Sequence, residues 1–240
     1  MTTLFISDLH LSEDRSDLVE LFLKFLRDKA HNAEALYILG DFFEVWIGDD
    51  IETSVTKTVA QALQSLSLTN CKIYFMHGNR DFLIGKRYMK QCGVKLLKDI
   101  KIIDLYGTKT ILMHGDTLCT QDIAYLKFRK KVRNSLTQFL FLRKSLNTRT
   151  DIARQIRERS KLQIQEKTLA IMDATASEIP RILQKYQAEL LIHGHTHRPA
   201  IELININNHF AKRIVLSDWE KTGHVLVCES NGVQRSIYFE

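Results

Sequence analysis

Short apolar runs recur along this chain, and each is followed by polar residues that can bind a metal ion. Five segments have this form. In order, they are Leu4-Phe5-Ile6 with Asp8 and His10, Ala35–Leu39 with Gly40-Asp41, Ile73–Met76 with Gly78-Asn79-Arg80-Asp81, Thr110–Met113 with His114-Gly115-Asp116, and Leu190–Ile192 with Gly194-His195-Thr196-His197. Runs of this length, rich in Ile, Leu and aromatic residues, are typical of buried strands. The pattern predicts five strands whose carboxyl ends carry candidate ligands.

Between these strands, apolar residues recur with a helical period. One pattern begins at a capping Ser16, and another runs from Val55 to Leu66. The faces predicted to be buried are Leu18, Leu21, Phe22, Phe25 and Leu26 in the first helix, and Val55, Val59, Ala62, Leu63 and Leu66 in the second. Alternating strands and helices predict an α/β fold (α+β by some schemes) in which ligands gather at the carboxyl ends of the strands.

A long segment, residues 121–187, interrupts this alternation. Its periodicity is mostly helical, and Pro180 is its only proline. Because it separates the fourth ligand strand from the fifth, it is predicted to be a helical lid inserted into one domain that spans residues 1–240. After Pro199, three further strand-like segments are predicted to complete a second sheet with no ligands of its own. They are Ile201–Ile206, Arg213–Leu216 and His224–Cys228.

Length and composition fit a cytoplasmic globular protein. The 240 residues can bury a large core, and 45% of them are hydrophobic. No apolar run approaches the roughly 18 residues that a membrane-spanning helix needs. The cysteines have no paired spacing and are expected to be reduced; they are Cys71, Cys92, Cys119 and Cys228. Cys119 follows a candidate ligand and could be catalytic, but a small buried thiol is the preferred interpretation.

The net charge of +6 arises from one segment. Residues 123–167 contain 13 Lys+Arg and 3 Asp+Glu, whereas the rest of the chain contains 21 and 25. Basic and apolar residues are interleaved there: Arg129, Lys130, Lys131 and Arg133, then Leu136, Phe139, Leu140, Phe141 and Leu142, then Arg143 and Lys144. Such a surface suits an amphiphile with phosphate and acyl chains, or an anionic membrane surface. The alternative is a lid packed on its own core with solvated charges.

The polar residues after the five strands form one set of candidate metal ligands. They are Asp8, His10, Asp41, Asn79, His114, His195 and His197. Imidazole and carboxylate together suit divalent ions such as Mn, Fe, Zn or Co. Seven ligands are too many for one ion and fit a pair about 3.5–4 Å apart, which can clamp a phosphoryl group and activate a water. His77 and His193, next to these motifs, are interpreted as supporting or packing residues.

In this order, the motifs Asp-x-His, Gly-Asp, Gly-Asn-Arg-Asp, His-Gly-Asp and Gly-His-Thr-His resemble those of the calcineurin-like metallophosphoesterases. The resemblance implies a β-sandwich of two packed sheets flanked by helices. It also implies that Asp8, His10, Asp41 and His197 hold one ion. Asn79, His114 and His195 would then hold the other, with Asp41 as the bridge.

Longer stretches of the sequence resemble one particular group within this family. Five stretches are similar to the pyrophosphohydrolases that act on UDP-2,3-diacylglucosamine in the lipid A pathway of Gram-negative bacteria. They are Tyr37–Glu44, Trp46–Asp50, His77–Leu83, His114–Cys119 and Ala170–Asp173. The likeness implies release of UMP and 2,3-diacylglucosamine 1-phosphate (lipid X), with two divalent ions, Mn being expected. It also implies a peripheral protein on the cytoplasmic, anionic face of the inner membrane. A monomer is expected.

The same resemblance implies roles for individual residues. Catalysis is assigned to Asp41, Asn79, Arg80, His114 and His195, and substrate contacts to Asn79, Arg80, Asp122, Ser160, Lys167 and His195. Lys167 and neighbouring arginines are expected to hold phosphate or sugar, while Phe139 and Phe141 line the acyl path. Ile164 stands where relatives often carry a polar residue, which puts one substrate contact in doubt. Ser217 stands where a glycine is expected.

Two rival functions use the same motifs. A nuclease or cyclic-nucleotide phosphodiesterase would grip nucleic acid with the basic segment, but that segment lacks the glycine and aromatic pattern of a stacking platform. No nucleic-acid partner is therefore expected. A scaffold without activity would have no physical need for all seven ligands.

Overall fold

The computed structural model describes residues 1–166, 171, 173–206 and 209–240, and the side chains of all of these except 161 and 163–166. The helices are α1 (Ser16–Asp28), α2 (Ser54–Ser67), α3 (Lys86–Gln91), α4 (Ile123–Val132), α5 (Ser135–Leu142), α6 (Leu146–Glu166) and α7 (Glu178–Tyr186). The strands are β1 (Thr2–Ile6), β2 (Ala35–Ile38), β3 (Lys72–Phe75), β4 (Lys95–Leu96), β5 (Ile100–Leu105), β6 (Thr108–Met113), β7 (Leu190–His193), β8 (Ala200–Ile206), β9 (His209–Val215), β10 (Gly223–Glu229) and β11 (Gln234–Phe239).

The strands form two sheets that pack face to face. The first sheet has the order β11-β10-β1-β2-β3-β4, and the second has the order β5-β6-β7-β9-β8. Strands β1 to β4 run parallel, as do β6, β7 and β9, while the remaining strands pair antiparallel at the margins. The predicted α/β fold and its two packed sheets are confirmed.

Alternate side chains of the parallel strands enter two separate cores. In β1, Leu4 and Ile6 pack with α1 and α2, whereas Phe5 lies between the sheets. Phe5 stacks on Tyr37 at a ring-centroid distance of 5.1 Å, and Tyr37 stacks on Tyr74 at 4.6 Å. These three residues are direct partners across β1, β2 and β3. Because the register is fixed in this way, the loops that follow the three strands leave the sheet side by side.

Three sequence-based expectations were wrong. The segment His224–Cys228 belongs to β10, which pairs with β1 in the first sheet. The second sheet is not free of ligands, since His114 follows β6 and His195 follows β7. Ser16 does not cap α1: the capping position is Arg15, and no side chain caps the helix. The predicted apolar face of α1 is nevertheless buried through Leu18, Phe22, Phe25 and Leu26.

The long segment between β6 and β7 contains two kinds of helix. Helices α4 and α5 bury no side chain fully. Helix α7 instead buries Ile179, Ile182 and Leu183 in the core that contains the second sheet. Treating 121–187 as one lid therefore stays a prediction, and α7 packs as part of the core. Within the described residues, no helix combines the length and apolar character needed to cross a membrane.

Candidate metal centre

Seven predicted ligands gather where the two sheets meet at one edge of the sandwich. Asp8 and His10 follow β1, Asp41 follows β2, and Asn79 follows β3 in the first sheet. His114 follows β6, and both His195 and His197 follow β7 in the second. Parallel strands place their carboxyl ends at the same edge, so ligands from distant parts of the chain converge.

The ligands form two clusters, whose ligand atoms lie within 4.8 Å of one another in each case. The first, here the His10 cluster, comprises Asp8, His10 and His197. In it, His197 Nε2 lies 3.3 Å from Asp8 Oδ1. The second, here the His114 cluster, comprises Asp41, His114 and His195.

Asp41 lies between the two clusters, and Asn79 completes the second. Asp41 Oδ2 is 4.0 Å from His10 Nε2, and its Oδ1 is 3.7 Å from His114 Nε2. Asn79 Oδ1 is 3.0 Å from His114 Nε2 and 2.9 Å from His195 Nδ1. Two ligand atoms that share one ion at about 2.0–2.2 Å lie roughly 3–3.5 Å apart. These spacings fit two ions with one carboxylate between them.

Most of the ligands occupy backbone conformations that L-residues rarely adopt. Positive φ angles of 49–70° occur at Asp8, His10, Asp41, His195 and His197. Such a conformation costs about 1–3 kcal/mol per residue and persists only where the surrounding structure imposes it. Aspartate and histidine tolerate it better than bulkier or β-branched residues. Residues in this conformation contribute ligand atoms to both clusters.

Two glycines allow the ligand loops to pack directly on the buried carboxylates. A Cβ on Gly78 would lie 2.1 Å from Asp41 Oδ1, and one on Gly194 would lie 2.1 Å from Asp8 Oδ2. Real Cβ atoms do not approach so closely, and both neighbours are fixed by hydrogen bonds. Asp41 Oδ1 accepts from the Arg80 peptide N–H at 2.8 Å, and Asp8 Oδ2 accepts from the His195 peptide N–H at 2.9 Å. Glycine is therefore required on steric grounds both at Gly78, before Asn79, and at Gly194, before His195.

Hydrogen bonds and ion pairs orient the imidazole rings. His114 Nδ1 lies 2.8 Å from the Leu39 carbonyl oxygen, so it donates there and leaves the Nε2 lone pair facing Asp41 and Asn79. His10 Nδ1 lies 2.9 Å from Glu44 Oε2, and His197 Nδ1 lies 3.3 Å from Asp218 Oδ2. Glu44 and Asp218 were not assigned a role from the sequence. Glu44 ends the Tyr37–Glu44 stretch, and Asp218 follows Ser217. Neither can be recognised as the partner of a ligand imidazole until the structure places it beside that ring.

Other residues next to the motifs support the loops. Buried Asp81 accepts from the Phe42 and Gly78 peptide N–H groups at 2.7 Å each, and thereby ties the loop after β2 to the loop after β3. His193 lies behind the second-sheet ligands, where Arg213 Nε donates to its Nε2 at 2.9 Å. All four cysteines are buried, and burial raises the pKa of the Cys119 thiol to about 12. A thiol protonated at neutral pH is a poor nucleophile.

The charges of the centre are strongly coupled. Burial alone would raise the pKa of the Asp8 carboxyl, but His197, whose Nε2 lies 3.3 Å from Oδ1, and the other nearby imidazoles hold that pKa well below its usual range. Burial opposes protonation of His197, yet Asp218 and Asp8 raise its pKa to about 10. At His195, burial and the neighbouring His114 lower the pKa to about 4. The carboxylates thus draw positive charge into the centre, which is the environment that a cation needs.

One buried atom tests whether these residues fit a metal ion. Asp8 Oδ1 is inaccessible to solvent and has no hydrogen-bond partner among the described residues. Leaving a buried carboxylate oxygen unpaired is costly. It faces the imidazole nitrogens of the His10 cluster, and a divalent cation bound there would satisfy it. The donor set of imidazole, carboxylate and amide oxygen also fits a pair of divalent ions.

The predicted substrate-binding residues are placed unequally. Asn79 and His195 lie in the centre, and the partly buried Arg80 follows Asn79 with its Nε unpaired in the described structure. Asp122 caps α4 by accepting from the Tyr125 peptide N–H at 3.1 Å. Ser160, near the end of α6, makes no hydrogen bond with the ligands in the part of the chain described. Lys167 and the side chain of Ile164 lie outside the described residues.

Helix α4 is attached to the centre through a residue that sequence reasoning had left unassigned. The Tyr125 hydroxyl donates to Asp116 Oδ2 at 2.5 Å, and the Tyr125 ring stacks near His195 at a centroid distance of 6.3 Å. Arg129 Nε donates to the same Asp116 oxygen at 2.6 Å. Arg133 donates to Asp99 at 2.8 Å and to the Gly78 carbonyl oxygen at 2.7 Å.

Several arginines of the basic segment are paired with acidic residues from other parts of the chain. Arg129 and Arg133 are used for ion pairs with the core, because Asp99 and Asp116 lie beneath α4. Arg149 and Arg157 on α6 do the same with Asp50 and Glu44. The basic residues that remain exposed, and that flank α5, are Lys130, Lys131, Arg143 and Lys144.

The close approach of Gly78 to Asp41 leads to a prediction. Gly78→Ala should abolish binding of divalent metal ions at the two clusters, with Mn as the probe, because the new methyl group occupies the place of Asp41 Oδ1. Mn content after dialysis measures this. The matched control is Gly232→Ala, in the β10–β11 turn, where an added Cβ meets no atom within 4 Å. Its left-handed φ of 87° makes the substitution cost about 1–2 kcal/mol of folding free energy. Normal Mn content in Gly78→Ala, or equal loss in both variants, would contradict the steric argument.

Known proteins share both the sequence and the fold of this chain. Curated relatives named UDP-2,3-diacylglucosamine hydrolase include one from Marinobacter nauticus, 52% identical over 221 residues that cover 92% of this chain and 91% of the relative. Another, from Pseudomonas aeruginosa, is 48% identical over 238 residues and covers 99% of both chains. A third, from Azotobacter vinelandii, is 47% identical over 232 residues, covering 97% of this chain and 96% of the relative.

The fold is shared more widely than the sequence. A solved structure described as a novel archaeal phosphodiesterase matches with a TM-score of 0.51 at 13% identity, covering 100% of both chains. This match concerns the fold alone. Residues 1–199 match the family described as calcineurin-like phosphoesterase. With two ligand clusters at the edge of its sandwich and close relatives over nearly its whole length, the chain belongs to the calcineurin-like phosphoesterase family.

Proposed function

We propose that this chain hydrolyses the pyrophosphate bond of UDP-2,3-diacylglucosamine and releases 2,3-diacylglucosamine 1-phosphate (lipid X) and UMP, using two divalent metal ions. Relatives at 47–52% identity bear the name UDP-2,3-diacylglucosamine hydrolase. The observation that carries the proposal is the pair of ligand clusters on either side of Asp41. A chain with this arrangement can cut a phosphate anhydride with water, which is the reaction that releases UMP.

Each ligand has a role in this proposal. Asp8, His10 and His197 would hold one ion, while Asn79, His114 and His195 would hold the other. Asp41 lies between the two clusters and would serve both. Such ions would supply activation of a water and compensation of the negative charge of the reacting phosphate. Since imidazole and amide ligands are neutral, the centre keeps enough positive charge to accept an anionic substrate.

Arg80 is the residue best suited to orient the phosphate. Its peptide N–H is bonded to Asp41 Oδ1, so its backbone is fixed beside the bridging carboxylate. Its guanidinium Nε is buried without a partner among the described residues. A guanidinium binds two phosphate oxygens in a planar fork, which suits a substrate with non-bridging oxygens next to the bond that is cut.

Mn is the metal we propose, since the centre mixes carboxylate and amide oxygens with four imidazoles. Mg prefers oxygen ligands, whereas Mn accepts both oxygen and imidazole nitrogen.

A cavity beside the metal centre offers space for an acyl chain. It measures about 310 Å³, within the range of roughly 300–1,000 Å³ that is usual for small-molecule sites. It lies between the loop after β2 and helix α6, and is lined by Val45, Ile47, Thr150, Ala153, Arg154, Arg157 and Glu158. Phe139 and Phe141, which the sequence had suggested for this path, are not part of the lining. Because this cavity has a suitable volume and lies beside the centre, we propose it, in place of Phe139 and Phe141, as the acyl site.

Helix α5 is better suited to contact a membrane. Among its residues, Leu136 is 64% exposed, and Phe139 and Leu140 are each 55% exposed. The exposed Lys130, Lys131, Arg143 and Lys144 flank this apolar face. Each basic residue near an anionic lipid surface contributes about 1 kcal/mol to binding. The combination supports peripheral association with the cytoplasmic face of the inner membrane, where a diacylated substrate resides. We expect the chain to act as a monomer, with residues 121–187 as the substrate lid.

Removal of metal gives the first test of the reaction. Chelation should abolish release of UMP from UDP-2,3-diacylglucosamine, and Mn should restore the rate better than Mg does. Release of UMP, followed by chromatography, is the measurement. Undiminished turnover after exhaustive removal of metal would refute the metal-dependent mechanism. If simple nucleotide esters were hydrolysed as fast as UDP-2,3-diacylglucosamine, the proposed substrate would be wrong.

The bridging role of Asp41 predicts an unequal pair of variants. Asp41→Ala should lose roughly 10²–10³-fold in kcat, because the residue orders both ions and balances their charge. Asn79→Ala, which removes a neutral ligand of one ion, should lose less. Steady-state kinetics at saturating Mn measures both, with circular dichroism as the control for folding. If Asp41→Ala retains two ions and a near-normal kcat, the bridge is misassigned.

The acyl cavity predicts a change in chain-length preference. Ala153→Phe should fill part of the cavity and raise KM for a long-chain substrate about tenfold, since each displaced methylene loses roughly 0.8 kcal/mol. Short-chain substrates should be little affected. Ile156→Phe, which adds bulk to an exposed position of the same helix outside the lining, is the matched control. An equal rise in KM for substrates with short and with long acyl chains would show that the cavity does not determine chain-length preference.

A further inference from the structure

Helix α6 reaches a metal ligand through one acidic residue. Arg157 donates through Nη1 to the Glu44 carbonyl oxygen at 2.8 Å, and through Nη2 to Glu44 Oε1. The other carboxylate oxygen, Oε2, lies 2.9 Å from His10 Nδ1. One guanidinium therefore holds both the backbone and the side chain of Glu44. The carboxylate in turn faces the ring of a ligand in the His10 cluster.

The backbone brings Glu44 and His10 together. Leu11 and Phe43 form an isolated parallel bridge, and the Glu44 N–H donates to the Leu11 carbonyl oxygen at 3.1 Å. The His10 N–H donates to the Asp41 carbonyl oxygen at 3.0 Å. The loops after β1 and β2 thus run side by side. These backbone bonds join the two loops to each other, and Arg157 adds a bond to the Glu44 carbonyl oxygen and fixes the direction of the Glu44 side chain.

The direction of this carboxylate matters for His10 as a ligand. A carboxylate beside Nδ1 keeps the proton on that nitrogen and turns the Nε2 lone pair toward the ion, and loss of such a partner typically weakens metal binding about 10–100-fold. Glu44 is partly exposed, with a side-chain accessibility of 28%. A glutamate at such a site can turn into solvent unless a second group holds it. Arg157, which bonds it on the side away from His10, is that group.

We infer that Arg157 is a positioning residue for the metal centre: through Glu44 it fixes His10, so the inserted helix α6 sets metal affinity in the His10 cluster. The inference rests on the proposed two-metal function. It gives α6 a second role besides lining the acyl cavity. The affinity of this cluster for its ion then depends on the contact between Arg157 and Glu44, and not on the attachment of α6 in general.

Helix α6 also supplies a matched control. Arg149, two turns earlier, is bonded to Asp50 and to the Ile47 carbonyl oxygen at 2.7 Å. It attaches the same helix to the same loop, and it is more deeply buried than Arg157, at 4% against 22% side-chain accessibility. Neither of its partners contacts a ligand of the clusters. General loosening of α6 should therefore follow from either substitution, whereas a specific effect on metal should follow only from Arg157→Gln.

The test is Mn titration of the full-length, metal-free protein, with free Mn measured by electron paramagnetic resonance. We expect Arg157→Gln and Glu44→Gln each to weaken one of the two sites about 10–100-fold and to leave the other unchanged. Arg149→Gln should leave both sites within about threefold of the wild-type values. The Arg157→Gln, Glu44→Gln double variant should be no weaker than the single variants, because the two residues act in series.

Three outcomes would overturn the inference while the proposed function stands. They are wild-type affinity in Arg157→Gln, equal weakening by Arg149→Gln, and additive losses in the double variant. A wild-type protein that binds fewer than two Mn ions would overturn both the inference and the proposed function. Thermal unfolding of each metal-free variant verifies that it is folded at the temperature of the titration.

Discussion

The structure is organised around two buried carboxylates, Asp8 and Asp41, whose relative exposures are 0% and 2%. Burying an ionised carboxylate costs several kcal/mol unless donors or cations compensate it. Peptide N–H groups from other loops satisfy one oxygen of each residue. The remaining oxygens face imidazoles across spaces that suit metal ions. This requirement explains why five strand ends must meet, and why Gly78 and Gly194 must lack side chains.

The backbone is strained at five of the candidate ligands, and packing of the sheets holds it in that conformation. Left-handed backbone at five ligands costs on the order of several kcal/mol in total. The stacked Phe5, Tyr37 and Tyr74 fix the register of three strands just before the strained loops begin. Asp81 then ties two of those loops to each other. The ligands are thereby pre-organised, so little ordering remains to oppose metal binding.

The basic segment serves two purposes that its composition alone could not separate. Arg129, Arg133, Arg149 and Arg157 are paired with acidic residues from outside this segment and attach α4 and α6 beside the metal centre. The lysines and arginine beside α5 stay exposed next to apolar side chains. Under the proposed function, the attached helices would cover the substrate and the exposed apolar face would contact lipid.

The sequence by itself determined the five strands that precede the candidate ligands, the apolar faces of α1 and α2, and which residues are candidate ligands, because period and motif are local properties. It could not assign β10 to the first sheet, since that pairing joins β1 to a segment more than 200 residues away. It could not reveal that Glu44 and Asp218 lie against ligand imidazoles, or that Asp116 attaches α4, because these roles depend on neighbours distant in the chain. Glu44 and Arg157, for example, are 113 positions apart. Only the tertiary structure decided which arginines are paired and which remain exposed, because the acidic partners of Arg129 and Arg157 become their neighbours only when the helices pack on the sandwich.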